Sequence, residues 1–173
     1  MSYTKLTTLL AGAATVLLAT FALVGCGGGG STAQAAPKTA SGQSATVGVA
    51  NTSLGNVLVN SAGMTLYMFG KDTGTQSTCT GACAQNWPPL RANGKPTAGS
   101  GATASMLGTT ARSDGGQQVT YNGHPLYLFI GDKNPGDTNG QGLNAFGGSW
   151  FALSPSGDQV SGTGSNSGGG LGY

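Results

Sequence analysis

Charge is what this chain has least of. Only 7% of its 173 residues are charged, and the five acids are all Asp, with Glu absent. Helix surfaces usually draw on Glu, Lys and Arg, so this scarcity favours strands and loops. The 33 glycines point the same way. Histidine occurs once, as His124, which leaves no His pair for a zinc enzyme and a single base for acid–base or Ser-His-Asp chemistry. A Gly-x-Ser-x-Gly elbow is missing too. The chain reads as non-enzymatic. Nor does it offer nucleic acid a basic patch: with Lys5 set aside as part of a leader, six Lys/Arg stand against five Asp, a net charge of +1.

Long apolar runs are equally scarce, and the one present lies at the front. Lys5 is followed by an apolar stretch from Leu6 to Val24 interrupted only by small residues and Thr, the layout of a secretory signal peptide over residues 1–25. It ends in Leu23-Val24-Gly25-Cys26, which resembles the bacterial lipobox and makes Cys26 the lipidation site. Two or more acyl chains there, at about 0.8 kcal/mol per buried methylene, give stable membrane anchoring. Residues 27–45 are small and polar, a flexible tether reaching roughly 25 Å. Residues 161–173 form a Gly/Ser tail expected to be disordered. Between them, 46–160 suffices for one domain with one core.

That domain holds a duplication. Leu66-Tyr67-Met68-Phe69-Gly70-Lys71-Asp72 returns sixty positions later as Leu126-Tyr127-Leu128-Phe129-Ile130-Gly131-Asp132, and at the same offset Val59 falls on Val119 and Gly63 on Gly123. Each copy predicts a central strand ending at a turn-forming Asp, with Tyr and Phe on one face and the intervening apolar residues on the other. Strands are also expected over 46–50, 56–60, 117–121 and 148–153. Asn122-Gly123 signals a type I′ hairpin turn. Trp87 and Trp150 follow their tyrosines at similar distances, which predicts an equivalent strand in each repeat. Repeat 1 then spans about 46–92 and repeat 2 about 112–155, separated by a polar connection over 93–111. The fold class is all-β, two tandem repeats in one compact domain, with room for one short helical turn near Cys79 and Cys83.

Two readings of Cys79-Thr80-Gly81-Ala82-Cys83 are open. In an oxidising compartment the pair suits a disulfide closing a tight loop. Two thiolates with distant His124 would instead suit copper(I), in a copper-handling or electron-transfer accessory. Against copper, delivery proteins of thioredoxin type place Pro after the second Cys, where this chain has Ala84. The segment Asp132–Gly140 is dense in side-chain oxygens, as calcium sites are, yet it lacks the EF-hand order and a closing Glu, and reads as a turn loop. Tyr67, Phe69, Tyr127, Phe129, Trp87 and Trp150 could form a platform for a ligand or an electron path. In a domain with few other large side chains they are needed as core. The buried tyrosine hydroxyls would then find acceptors in Asp72 and Asp132.

These motifs together resemble a known family. The two Leu-Tyr-x-Phe-x-x-Asp copies, the Cys pair leading into Trp87-Pro88-Pro89-Leu90, the run Asn122-Gly123-His124-Pro125-Leu126-Tyr127 and the segments 136–142 and 148–150 are similar to the bacterial secreted-repeat lipoproteins, described by a Tyr-x-(Phe/Trp/Tyr)-x-x-Asp motif and without known function. The resemblance implies a lipid-anchored domain facing periplasm or exterior, built as a tandem repeat. It supplies no catalytic or ligand residues. An unidentified protein or small ligand is the expected partner, besides the membrane reached through Cys26.

Overall fold

The computed structural model describes residues 44–162, so the leader over 1–25, Cys26 and most of the tail lie outside the described residues. Strands dominate. In chain order they are β1 (Thr46–Thr52), β2 (Gly55–Asn60), β3 (Tyr67–Phe69), β4 (Arg91–Ala92), β5 (Thr97–Ala98), β6 (Leu107–Ala111), β7 (Gln117–Tyr121), β8 (His124–Pro125), β9 (Asn144–Ala145) and β10 (Gly148–Ala152). Helix among the described residues is limited to α1 (Ala82–Asn86), the single turn expected beside the cysteines, and a 3-10 turn at Ala104–Met106. The sheets run β2-β1-β5, β3-β10-β9 and β4-β7-β6, with β8 on β7.

The repeats are legible in the pairing. In the first, β1 pairs antiparallel with β2, and in the second β6 pairs antiparallel with β7. Repeat 2 therefore begins near Leu107 rather than 112, since β6 is the counterpart of β1. The 93–111 connection is accordingly more structured than its polar composition suggested. It carries β5, which lies parallel to β1, as well as the 3-10 turn and β6. The offset of sixty also slips by one at the next strand. Leu66 N donates to Leu58 O, and Leu126 N donates to Val119 O, so Leu58 rather than Val59 is the structural mate of Val119. The turn in repeat 1 is one residue longer. In repeat 2 it is the tight turn at Asn122 (φ 48°) and Gly123 (φ 83°), both left-handed as a type I′ hairpin requires.

At the centre the two repeats meet edge to edge. Tyr67 N donates to Tyr127 O and Tyr127 N to Tyr67 O, each at 2.9 Å. On the outer flank of each lies the Trp segment of the other repeat: Ala152 of β10 opposes Tyr67, and Pro89 opposes Tyr127. The expected equivalence of the two Trp segments holds in position but only one is a strand. Pro88 and Pro89 have no N–H to give a ladder, so Pro88–Leu90 runs extended, bonding through Pro88 O, Leu90 N and Leu90 O. Trp87 itself caps the end of α1. The second central strand is likewise an extended segment at residues 126–128 joined by isolated bridges.

Side-chain alternation in these segments divides the interior. Tyr67, Phe69, Tyr127, Val57 and Val59 face one apolar cluster with Trp87, Trp150 and both cysteines, and Phe129 packs against its edge. Leu66, Leu126, Leu58 and Val119 face a second cluster with Val47, Tyr121 and Leu153, where Met68 and Leu128 pack at its edge. One core was expected, and two sit on opposite faces of the central segments, because both faces of each segment are apolar.

Candidate functional site

The repeated tyrosines and aspartates satisfy one another across the repeat boundary. Tyr67 donates its hydroxyl to Asp132 Oδ2 at 2.7 Å, and Tyr127 donates to Asp72 Oδ2 at 2.6 Å. The sequence paired these residue types correctly and left the partners unassigned. Each Asp also closes its own turn: Asp72 Oδ1 accepts from Thr78 N and Thr78 Oγ1, and Asp132 Oδ1 accepts from Asn139 N. Burial first, then the charge of Asp132, pushes the Tyr67 hydroxyl far above the ordinary phenol range. Burial first, then the hydrogen bond to Asp72, does the same to Tyr127. Both phenols therefore stay protonated and act as fixed donors.

Against this clasp stands a column of rings. Phe69 stacks on Trp150 at 4.1 Å, Trp150 on Trp87 at 3.9 Å, and Trp87 on Phe129 at 4.3 Å. Tyr67 meets Trp87 edge-on, as Tyr127 meets Trp150. The column obeys the same pseudo-two-fold as the backbone, with the two indoles at its middle. Trp87 is 1% exposed and Trp150 fully buried, which makes these rings the core of the fold. Gly140 lies so close that a Cβ there would come within 2.8 Å of the Tyr67 ring and 2.9 Å of Trp87.

Arg112, Ser77 and Gln118 drew no attention in the sequence and form the other polar centre. Arg112 Nη1 donates to Ser77 Oγ at 2.7 Å and Gln118 Oε1 at 2.6 Å, while Nη2 donates to Cys79 O at 2.7 Å. Asp114 takes the guanidinium's outer edge, from Nε at 2.7 Å and from Nη2. Ser77 Oγ lies 2.8 Å from the Tyr127 hydroxyl, so this network continues into the clasp. The hydrogen bond from Arg112 holds the Asp114 carboxyl below its ordinary value, and the same bond raises Arg112. The one available signal was charge scarcity, which makes any single Arg conspicuous.

Cys79 and Cys83 are joined as a disulfide with a Cα–Cα distance of 5.2 Å, the first of the two readings. His124 sits on β8 opposite Tyr121, half-buried, and is not among the hydrogen-bond partners of Asp72 or Asp132. Among the described residues no group of three or more His, Cys, Asp or Glu is placed to hold a metal. In the 132–140 loop, Asp137 Oδ2 accepts from Lys133 N and Asn134 N, and these N–H groups hold its carboxyl below the usual range. Asp132 points inward to Tyr67. The loop is thus closed on itself, as a turn loop is.

One concavity opens beside this loop. It encloses about 220 Å³ and is lined by Met64, Thr65, Pro88, Leu128, Phe129, Ile130 and Asp132. Ile130, 45% exposed, is the exposed large hydrophobic among the described residues. The sequence marked Phe129 and Asp132 as motif residues but gave no sign of a groove between them.

A family model described as a secreted repeat of unknown function matches twice in tandem, over residues 48–91 and 108–154, more than half of the chain. No curated protein and no solved structure matches. A secreted repeat works outside the cytoplasm or at the envelope, and among the described residues no helix is long and apolar enough to cross a membrane.

Two expectations follow from these geometries. In urea denaturation, Tyr67→Phe costs about 1.5–3 kcal/mol by leaving a buried acceptor unpaired. A double-mutant cycle shows coupling above about 1 kcal/mol with Asp132→Ala and within about 0.5 kcal/mol with Asp72→Ala, because the pairing crosses the repeats. The pH test concerns Asp114, whose lowered carboxyl contributes stability above the ordinary carboxylate range and loses it as pH falls through the folded value. Asp114→Asn is therefore less stable than the parent at neutral pH, by at most about 1 kcal/mol because solvent screens this exposed carboxylate, and the gap closes as pH drops below about 3.9. Thermal melts across that range measure it.

Proposed function

We propose that this chain, which belongs to the family of secreted repeats of unknown function, is a non-enzymatic binding module held at the bacterial cell envelope by lipid on Cys26. The groove at Ile130 carries the reading. Hydrogen-bonding side chains that could do chemistry are engaged in holding the fold: among the described residues no buried side-chain nitrogen or oxygen lacks a partner. Asp72, Tyr67, Tyr127, Arg112 and Gln118 are all used internally. Apolar surface left in the open costs stability unless something covers it. Here it is gathered in one concave place, floored by the outermost ring of the aromatic column. Small-ligand sites have this character, a mostly apolar wall with one or two placed polar groups.

Anchoring supports the same role. Residues 1–26 have the order of a charged start, an apolar run and a lipobox cysteine, and small and polar residues over 27–45 separate that cysteine from the domain in sequence. Fatty-acid labelling in the bacterial host checks this: the full-length protein takes up label in the membrane fraction, and Cys26→Ala releases an unlabelled protein. Label persisting in Cys26→Ala removes the lipid from the proposal. The groove is checked by chemical-shift titration with a small neutral probe, n-butanol, where shifts confined to Met64, Thr65 and residues 128–132 are expected. Shifts spread over the surface or gathered elsewhere overturn the site.

A further inference from the structure

Asp132 stands apart from the other acids. It is 6% exposed, and the ion pairs among the described residues are those of Asp114 with Arg112 and Arg91, so Asp132 is a buried carboxyl without a cation. Its carboxylate accepts from Tyr67, from Asn139 N and from the Asn139 side chain, while an ionised carboxylate accepts about four. Its counterpart Asp72 also accepts three, from Tyr127, Thr78 N and Thr78 Oγ1, but is only partly buried. Buried carboxylates are ordinarily paired, because desolvation without a counter-charge is costly. Burial indeed pushes the Asp132 carboxyl upward, against the hydrogen bonds from Tyr67 and Asn139. Asp137 adds a second negative charge nearby, and Lys133 Nζ is spent on Ile130 O at 2.6 Å.

Resting on the binding reading of the groove, we propose that its ligand is a primary alkylammonium group, with Asp132 as counter-charge and Phe129 as the ring beside which the cation sits. Each wall suits that chemistry. Leu128, Ile130, Pro88 and Met64 cover a short aliphatic stem, the volume of about 220 Å³ admits a few methylenes and no large head group, and an aromatic ring attracts a desolvated cation. A carboxylate or phosphate ligand would meet Asp132 and Asp137 with like charge. The amine could be free or carried on a peptide as a lysine side chain.

The test compares isosteres on the full chain at neutral pH, by chemical-shift titration with n-butylammonium, n-butanol and N-acetyl-lysine amide. The expected result is a shared set of shifted residues around Met64 and 128–132, with n-butylammonium binding about ten-fold tighter than n-butanol. Asp132→Asn abolishes that preference. Because this change also touches the clasp, Phe129→Leu serves as a second variant, and it weakens the ammonium more than the alcohol. Tighter binding of N-acetyl-lysine amide than of n-butylammonium supports the site with a peptide-borne amine, and the reverse order supports it with a free one. Equal binding of n-butanol and n-butylammonium overturns the ammonium while leaving the groove in place. Failure of every probe to shift these residues overturns the groove reading as well.

Discussion

The structure depends on a hydrogen-bonded exchange between its two halves. The tyrosine of each repeat reaches the aspartate that ends the other, while their backbones bond reciprocally at 2.9 Å. Neither repeat satisfies its buried hydroxyl alone, and an unpaired buried hydroxyl costs about 1–3 kcal/mol. The motif spacing follows from this. One residue separates Tyr from Phe and Asp lies three positions beyond Phe, so Tyr and Phe share a face of the strand, and Asp falls in the turn where its carboxyl can swing back across the boundary.

The same exchange explains why the aromatics are stacked in a column rather than scattered. Each Trp segment leaves its own repeat to flank the central strand of the other, which brings Trp87 and Trp150 face to face at 3.9 Å. The disulfide and Arg112 fix the approach of one of those segments. Cys79 and Cys83 bracket the start of α1, and Arg112 holds the Cys79 carbonyl, so Trp87 is delivered to the stack from a fixed point. So short a disulfide loop contributes little entropy on its own, and its effect lies in shaping that approach.

Duplication then allowed the halves to diverge where they meet solvent. At exposed position 70 a Cβ would lie 3.1 Å from Ser149 O, a tight contact that Gly avoids. The corresponding Ile130 bonds Asn86 O through its backbone at the same place, and its side chain emerges into the open. Asp72 is closed off by Thr78, whereas Asp132 lines the groove. A symmetric fold thus presents one asymmetric feature, and the functional reading rests on it.

From its residues alone the chain determined the fold class, the duplication, the face assignment of Tyr67, Phe69 and their copies, and the hairpin at Asn122-Gly123. Each of these is local: alternation, turn chemistry and internal repetition are written within a few positions of one another. Tertiary structure alone decided which Asp serves which Tyr, the one-residue slip that mates Leu58 with Val119, the start of repeat 2 at β6, and the Arg112 network. It also decided that Pro88–Leu90 would lie extended against the opposite repeat, and that the Ile130 side chain would stand open beside the groove. Those outcomes depend on which segments exchange across a pseudo-two-fold axis, and contacts between residues some sixty positions apart leave no periodicity in the chain to be read.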